Sequence, residues 1–314
     1  MFPEFYNRKN NEPYIFEQDH WVSGETVVNI KKGIPYFTGT GSYASLFGDQ
    51  WKQYKKTQLD SYSGSNISAS RLNRCLQDLA KGLSGKSVLE AGCGAGRFTE
   101  ILLQKGATLV SSDLSSAVEV NAENFPVTDS HLVIQADIND MPFRDESFDV
   151  VICMGVIQHT PDPEETIKNL YALVKKGGRL IIDHYTFTRS SFLRLASFYR
   201  LFLRKKPSSY TIPYTQKLVK KYLPLHKKFA KNKIMTVLLN RISPVVSYYN
   251  VLPQLNDSQQ EEWALLDTHD SLTDWHKHYR SRGYIKKILQ QLGATDIWCE
   301  YGGNGVEANC KKPS

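Results

Sequence analysis

The segment VLEAGCGAGRFTE, residues 88–100, decides the fold. It begins with an apolar run typical of a buried strand and ends in a run typical of a helix, and between them lie Gly92, Gly94 and Gly96. Glycine lets a backbone turn tightly and approach a ligand that a Cβ atom would exclude. The segment therefore predicts a strand–turn–helix unit whose turn lies at a ligand site, with Glu90 near the end of the strand.

The spacing of these glycines argues against one common ligand. The dinucleotide fingerprint G-x-G-x-x-G needs a glycine three places after its second glycine. Here Gly94 is followed by Gly96 and then by Arg97. We therefore do not expect NAD in this turn.

Short β-like runs alternate with helical runs over residues 86–186, which is the pattern of a parallel sheet covered by crossover helices. The predicted strands are 87–91, 108–112, 131–135, 149–154 and 179–183, and the predicted helices are 97–104, 116–124 and 163–174, the last ended by Gly177 and Gly178. Later, a helix at 281–292 precedes two β-like runs, DIWCEY and GVEANC, which we interpret as a hairpin. The predicted fold is a doubly wound α/β sheet, mostly parallel, with a C-terminal antiparallel hairpin.

Two acidic residues follow the next two predicted strands. Asp113 lies 21 residues after Gly92, where a carboxylate can accept hydrogen bonds from both hydroxyls of an adenosine ribose. Asp137 can accept from an adenine amino group while Ile138 packs on the ring. Each acid alone could be an ordinary strand-end residue. Because parallel sheets bind ligands at the carboxyl ends of their strands, the glycine turn and both acids together predict one nucleoside site.

These motifs resemble those of the class I S-adenosylmethionine-dependent methyltransferases, with a type 11-like domain and the flanks of a bacterial subgroup. VLEAGCGAGRFTE resembles their first motif, SSDLS their ribose-binding acid, ADINDMPFRDESFD their adenine-binding loop, and FDVVICMGVIQHTPDPEETIKNLYALVKKGGRLIID their fourth strand through their fifth. The resemblance implies a Rossmann-like fold and S-adenosyl-L-methionine as cofactor. The implied cofactor-binding residues are Glu90, Gly92, Gly94, Gly96, Asp113, Asp137 and Ile138.

The alternating core, the segments around it and the distribution of charge divide the chain into four parts. We expect an N-terminal extension at 1–85 as a candidate lid, the cofactor-binding core at 86–186, a basic helical insertion at 187–260 as a candidate lid or acceptor cover, and a completion of the sheet at 261–314.

Two histidines are candidate catalytic bases. His159 lies just past the fourth strand, where the resemblance places the methyl-transfer site, and His184 follows Asp183 at the end of the fifth strand. The alternative for His159 is a hydrogen bond that orders its loop. Adjacent strand residues point to opposite faces, so we expect Asp183 to serve a group other than His184. Alignment of the reactants contributes more to the rate of methyl transfer than a general base does. The absence of a base would therefore not exclude methyltransferase activity.

A late cluster has the side chains of a metal site but not the spacing of one. It comprises Asp267, His269, Asp270, His276 and His278. The spacing is not H-E-x-x-H and no cysteine is near, so we predict no metal. We expect the two aspartates to cap a helix and the histidines to lie at its surface or over the acceptor pocket.

The net charge of +7 is unevenly distributed. Residues 184–256 contain 14 Lys and Arg and no Asp or Glu, together with 12 Phe or Tyr, which leaves the other 241 residues with a net charge of −7. We favour this segment as a lid or acceptor cover. An anionic membrane surface is the next hypothesis, because 189–206 mixes large apolar and basic residues. Contact with lipid would bury Phe192, Leu195, Phe198, Tyr199 and Phe202. Nucleic acid is the least favoured partner.

The five cysteines include no C-x-x-C pair, and the N-terminal residues lack the apolar stretch of a secretion signal, so we expect reduced thiols and a cytoplasmic location. The longest apolar run is too short to span a membrane. We predict methyl transfer to an oxygen or nitrogen of a small or carrier-linked metabolite, for example a glycan or lipid-linked precursor. The alternatives are an RNA methyltransferase and a non-catalytic regulatory protein that binds the cofactor. The oligomeric state stays open.

Overall fold

The computed structural model describes residues 1–38, 44–187 and 194–314, and they form two compact units. The core unit comprises Met1–Ser45, Asn66–Phe187 and His276–Ser314, and the helical unit comprises Leu46–Ser65 and Thr188–Trp275. These boundaries differ from our four segments in two respects. The N-terminal extension is divided between the two units, and the stretch from residue 261 to Trp275 belongs to the helical unit.

Thirteen strands, all in the core unit, are seen in the described residues. They are β1 (Tyr6–Asn7), β2 (Glu12–Pro13), β3 (Ile15–Glu17), β4 (His20–Ser23), β5 (Thr26–Lys31), β6 (Ile34–Tyr36), β7 (Ser87–Ala91), β8 (Thr108–Asp113), β9 (His131–Gln135), β10 (Phe148–Cys153), β11 (Val174–Tyr185), β12 (Thr295–Gly302) and β13 (Gly305–Lys311). Eleven of them form one sheet in the order β12-β13-β11-β10-β7-β8-β9-β6-β5-β4-β3, and β1 pairs with β2.

Eleven α-helices are seen in the same described residues. They are α1 (Ser45–Gln53), α2 (Asp60–Ser63), α3 (Ile67–Leu76), α4 (Thr99–Gln104), α5 (Ala117–Asn124), α6 (Pro163–Ala172), α7 (Leu195–Leu203), α8 (Ser208–Phe229), α9 (Lys233–Ile242), α10 (Asp257–Thr273) and α11 (Arg282–Gln291). Short 3₁₀ turns lie at Gln77–Lys81 and Ile157–His159. Helices α3 to α6 and α11 belong to the core unit.

The sheet confirms the predicted doubly wound fold. From β7 at its centre the chain winds outward through β8 to β9, then returns to β10 and β11 on the other side, and all these pairs are parallel. Strand β13 runs antiparallel to both β11 and β12, as the predicted hairpin requires. The reversal of winding between β7 and β10 is the point where such sheets bind ligands.

The central strands are buried on both faces, which explains their nearly continuous apolar sequences. One face contributes Leu89, Val110, Ile134, Val151 and Leu180 to a core. The opposite face contributes Val88, Leu109, Val150, Ile152 and Ile181 to a second core.

The N-terminal strands extend the sheet in a way that the sequence analysis did not predict. Strand β6 pairs with β9 where Tyr36 lies beside Gln135, and β3 to β6 form an antiparallel meander. The strands are short, which weakens their sequence signal. The β3–β4 turn has Gln18 and Asp19 at positive φ instead of glycine, whereas Gly24 and Gly33 lie at positive φ in the next two turns.

Two predictions about local structure were wrong. Gly177 and Gly178 do not end a helix, because α6 already ends at Ala172 and both glycines lie within β11. A Cβ at Gly178 would lie 2.7 Å from the carbonyl oxygen of Asp149, so close passage of two backbones explains this glycine.

Asp267 and Asp270 do not cap a helix, because they lie inside α10. Asn256 caps that helix in a reciprocal bond with Gln259. His269 is buried inside the helical unit rather than at its surface, bonded to Gln50 and Thr211.

The helical unit has its own apolar core. Its members include Leu203, Leu218, Val219, Leu223, Val245, Ala264 and Leu272. The unit contains the predicted basic helical insertion as α7, α8 and α9. Within the described parts of the chain, no helix is both long enough and apolar enough to cross a bilayer.

Candidate functional site

The glycine turn follows β7 and is held close to the loop after β10. Gly92 has φ of +82°, and a Cβ there would lie 2.2 Å from Cγ2 of Val156. Gly96 has φ of +104°, and a Cβ there would lie 2.5 Å from the ring of Phe125. Both positions therefore need glycine for backbone conformation and for space. The turn packs closely against Val156 and Phe125.

Asp113 lies at the carboxyl end of β8 and is tied to this turn. Its Oδ2 accepts a hydrogen bond from the backbone N–H of Gly94 at 3.0 Å, and its Oδ1 accepts from the N–H and hydroxyl of Ser115 at 2.8 and 2.7 Å. Burial raises the pKa of Asp113. The hydrogen bonds from Ser115 and Gly94 lower it, but the effect of burial is larger. A carboxylate oxygen can accept more than one hydrogen bond, so Oδ2 can also take a ligand hydroxyl.

Glu90 is directed into the protein rather than toward the turn. Its Oε2 accepts hydrogen bonds from the hydroxyls of Thr99 at 2.5 Å and Ser111 at 3.2 Å, and Asn121 donates to Thr99. Burial raises the pKa of Glu90 to about 7. Its Oε1 has no hydrogen-bond partner among the residues that the structure describes. The cofactor-binding role of Glu90 stays a prediction.

Asp137 and Ile138 follow β9, beside the end of β8. Oδ1 of Asp137 accepts from the backbone N–H of Asn139 at 2.8 Å, which fixes the carboxylate, and the side chain of Ile138 is buried. The structure thus brings the glycine turn and both acids to neighbouring strand ends, as predicted. Adenine binding by this pair remains a prediction.

His159 ends the 3₁₀ turn after β10 and is buried. Its Nδ1 lies 3.2 Å from the carbonyl oxygen of His276, and its ring meets that of Tyr185 edge to face at 5.3 Å. A carbonyl only accepts, so Nδ1 carries the proton and Nε2 is the unprotonated nitrogen of the neutral ring. This is the tautomer that a general base at Nε2 requires.

His184 has features that disfavour a base. It is buried on β11, and its Nδ1 donates to the carbonyl oxygen of Tyr185 at 2.8 Å. Burial lowers the pKa of His184 to about 4. A nitrogen with so low a pKa takes up a proton weakly at neutral pH. These features favour His159 over His184 as the candidate base, and the role of either residue stays a prediction.

Asp183 serves Arg71, in agreement with the expectation that it does not serve His184. Its carboxylate pairs with the Arg71 guanidinium and accepts from the N–H of Gly155 at 2.6 Å. Glu307, which is also buried, lies 3.8 Å from Nε of Arg71 and receives two bonds of 2.7 Å from Arg74. Burial lowers the pKa of Arg71 to about 10. No spacing along the sequence indicates this network, because its members come from α3, β11 and β13.

Gln158, which was not among the predicted site residues, lies next to His159. Its side chain is fully buried, yet neither Nε2 nor Oε1 has a hydrogen-bond partner among the described residues. Its carbonyl oxygen accepts from the N–H of His278, which ties residues 276–280 to the turn after β10. A buried amide without partners is costly, so water or a polar ligand is expected at this turn. The available signal was a polar residue beside His159 in the loop after an apolar strand.

The candidate metal cluster is divided between the units. Asp267, His269 and Asp270 lie on α10 of the helical unit, whereas His276 and His278 belong to the core unit. Across the residues that the structure describes, no three side chains of the metal-binding types are grouped as a site would need.

The residues of the core unit fit a nucleoside sulfonium cofactor. Asp113 offers a fixed acceptor for hydroxyl donors, Asp137 a second carboxylate, and Ile138 an apolar side chain. The turn at Gly92 and Gly94 offers backbone approach without Cβ atoms. The sheet, the turn and the acid after β8 together define a doubly wound nucleoside-binding domain.

Comparison with known proteins identifies this domain. Residues 89–182 match the family model described as a methyltransferase domain. An ubiquinone biosynthesis O-methyltransferase from Coxiella burnetii is 37% identical over 103 residues, covering 32% of this chain and 44% of the relative. A protein of the same description from Pseudomonas entomophila is 36% identical over 107 residues, covering 32% and 45%. Residues 89–182 thus match a methyltransferase domain, in agreement with the family that their motifs resemble.

The chain spans less than half the length of these curated relatives. Among solved structures, an S-adenosyl-L-methionine-dependent methyltransferase from Methanococcus maripaludis covers 88% of this chain and 97% of its own, with 15% identity and a TM-score of 0.46. Magnesium protoporphyrin IX methyltransferase from Synechocystis covers 85% and 94%, with 16% identity and a TM-score of 0.44. The strand order of the chain itself defines the doubly wound fold.

Proposed function

We propose that the chain is an enzyme that transfers a methyl group from S-adenosyl-L-methionine to an oxygen or nitrogen of a small or carrier-linked metabolite. The observation that carries the proposal is the Asp113 carboxylate, which is bonded to Gly94 and Ser115 at the end of β8. It lies where a ribose would meet the glycine turn. The methyltransferase domain at 89–182 supports the same activity.

The cofactor, when bound, supplies an activated methyl group on a positively charged sulfur. The chain's own residues bind and orient it: Asp113 accepts from the ribose, Asp137 from the adenine, and the backbone at Gly92 permits close approach. Orientation of reactants can contribute about 7 to 11 kcal/mol to such a step, more than a general base contributes. The residues that bind and orient the cofactor therefore contribute more to the rate of methyl transfer than the base does.

We assign His159 as the group that removes a proton from the acceptor. Its Nδ1–H is fixed by the His276 carbonyl, so in the neutral ring Nε2 is the nitrogen that can accept a proton. The neighbouring Gln158 amide, which is buried and has no partner within the described residues, supports a polar ligand or water at the same turn. An oxygen acceptor is favoured over nitrogen by the O-methyltransferase relatives. Five buried cysteines, none of them in a disulfide, are compatible with a cytoplasmic location.

The test is a transfer assay with isotopically labelled cofactor. The purified chain is incubated with small-molecule, lipid and RNA extracts, and each pool is searched by mass spectrometry for the labelled methyl group. We expect label in a small or lipid-linked pool. Label confined to RNA would favour the alternative of an RNA methyltransferase. Cofactor binding with no label in any pool would favour the regulatory alternative.

A further inference from the structure

Helix α7 is apolar on two sides. Leu203 is buried in the core of the helical unit, and Tyr199 packs against it. On the other side, Phe198, Leu201 and Phe202 are between 57% and 65% exposed. These three residues follow the i, i+3, i+4 spacing of a single helix face. A helix that is apolar all round is expected to be covered on both sides, so this face lacks its cover in the isolated chain.

Helix α9 repeats the arrangement. Its Leu239 is buried, whereas its exposed stripe comprises Ile234, Val237, Leu238 and Ile242, which are between 45% and 81% exposed. Arg241 is exposed and, by helical periodicity, lies within the arc of that stripe. Helices α7 and α9 are in contact with each other in the helical unit. We call the exposed residues of the two helices the apolar face.

A cavity of about 280 Å³ opens beside α7, within the helical unit. It is lined by Phe198, Tyr199, Phe202, Leu203, Tyr210 and Tyr214. The rings of Phe198 and Phe202 meet edge to face at 5.0 Å and belong to both the cavity and the apolar face. Aromatic rings with hydroxyl groups suit a boundary between apolar and polar surroundings. The cavity can hold an extended apolar group of a ligand that contacts the apolar face.

The basic residues beside the apolar face indicate that its partner is negatively charged. Neither α7 nor α9 contains Asp or Glu, and Arg204, Lys205 and Lys206 follow α7 directly. Lys231 and Lys233 are exposed at the start of α9. Arg200, by contrast, is engaged by Asp274 and is not counted among the charges available to a partner. Exposed apolar side chains bordered by basic ones are the features that bind a helix to an anionic lipid surface.

We propose that the apolar face of α7 and α9 docks the protein on an anionic lipid bilayer. Phe198, Leu201 and Phe202 enter the acyl boundary, and the lysines and arginines meet lipid phosphates. A bilayer provides both an apolar layer and negative charge, whereas RNA provides negative charge and stackable bases but no layer that would cover aliphatic residues such as Ile234. This inference does not depend on the methyl-transfer activity.

The first measurement is co-sedimentation of the full chain with vesicles. One set contains phosphatidylglycerol and phosphatidylcholine at about 3 to 7, and the other contains phosphatidylcholine alone. We expect binding to the anionic set that weakens with salt but does not vanish, because salt screens charges and not apolar burial. The triple variant Phe198→Ser, Leu201→Ser, Phe202→Ser should bind at least about tenfold more weakly.

The matched control changes three similarly exposed apolar residues of the core unit. Ile15→Ser, Phe16→Ser and Val27→Ser, all on β3 or β5, should leave vesicle binding at the wild-type level. Circular dichroism of both triple variants checks that they fold. Phe202→Trp gives a readout of insertion, because its fluorescence should be quenched by brominated acyl chains beyond the quenching seen in wild type.

Three results would overturn the proposal. The first is absence of wild-type binding to anionic vesicles, which is what the lid hypothesis predicts. The second is an equal loss of binding in the control triple variant. The third is binding abolished by salt and by unrelated RNA, with no more quenching in the Phe202→Trp variant than in wild type, which would identify the surface as a nucleic-acid site.

Discussion

The backbone N–H of Gly94 donates to Oδ2 of Asp113 across 3.0 Å, which joins the glycine turn after β7 to the acid after β8. The bond makes the acid part of the turn's own structure. Its donor follows β7 and its acceptor ends β8, and these two strands pair in parallel. We therefore expect a substitution at Gly94 or Asp113 to lower ligand affinity more than it lowers the stability of the fold.

Gly92→Ala should destabilise the turn through contact with Val156. The substitution combines a positive φ with a Cβ only 2.2 Å from Cγ2 of Val156. We expect a loss of roughly 2 to 5 kcal/mol in the free energy of unfolding, from backbone strain and overpacking together. Chemical denaturation measures it. Gly85→Ala is the matched control. Gly85 has a similar φ of +73°, but no atom lies within 4 Å of an added Cβ, so this variant should lose only the free energy of backbone strain.

The double variant Gly92→Ala, Val156→Ala tests the stated cause. Removing the Val156 methyl groups should restore part of the stability lost in Gly92→Ala. If the double variant is no more stable than the additive sum of its single changes, the contact is not the reason for the glycine.

Glu90→Gln should change how stability depends on pH. Burial raises the pKa of Glu90 from 4.5 to about 7 in the folded protein. Between these values the folded state binds more protons than the unfolded chain, so the free energy of unfolding falls as pH rises through this window. The fall attributable to Glu90 is about 3 kcal/mol. Glu90→Gln should lack it.

Urea denaturation at about pH 5 and about pH 8 measures this difference. The exposed Glu4→Gln serves as control and should keep the wild-type pH dependence. A Glu90→Gln variant that loses stability between the two pH values as wild type does would show that Glu90 is ionised in the folded protein at both.

Arg71→Leu should be strongly destabilising. Arg71 is the partner of Asp183 and lies beside Glu307, and both acids are buried. Removing one member of a buried pair leaves an uncompensated charge, at a cost of about 3 to 5 kcal/mol. Thermal or chemical unfolding measures it. Arg282→Leu, which breaks the exposed pair with Glu300, should unfold close to wild type, and equal losses in the two variants would contradict the assignment.

His159→Ala should lower turnover at least about a hundredfold while cofactor affinity stays nearly unchanged, because a base acts on the acceptor and not on the cofactor. His184→Ala is the comparison: its low pKa predicts no loss of a base. Steady-state rates with the acceptor found by the labelling screen, together with cofactor titration, separate the two effects. Parallel losses of affinity and rate in His159→Ala would make it a residue that orders the loop.

Much of the core could be predicted from the sequence because its signals are local. Strands 87–91 and 131–135 are observed with the predicted ends, and Ser281 caps α11 as the predicted helix requires. Burial on both faces makes these strands continuous apolar runs, which stand out in any sequence.

What could not be predicted depends on contacts between distant residues. The Arg71, Asp183 and Glu307 network joins three elements, and no spacing along the chain indicates it. The exposure of Leu201 was not anticipated, and our hypothesis grouped Leu195 and Tyr199, which are half-buried, with Phe198 and Phe202. Phe192, also in that group, lies outside the described residues. A sequence gives the spacing of an apolar face but not which side another helix covers.

Calorimetric titration of S-adenosylhomocysteine, the demethylated product, tests the central claim most directly. Wild type should bind it, and Asp113→Ala should bind more weakly by about 1.5 to 3 kcal/mol, because the ribose hydroxyls lose a charged acceptor. The exposed Asp129→Ala is the matched control and should retain wild-type affinity. Wild-type affinity in Asp113→Ala would contradict the ribose assignment, and tight binding of NAD by the wild-type chain would contradict the proposed cofactor.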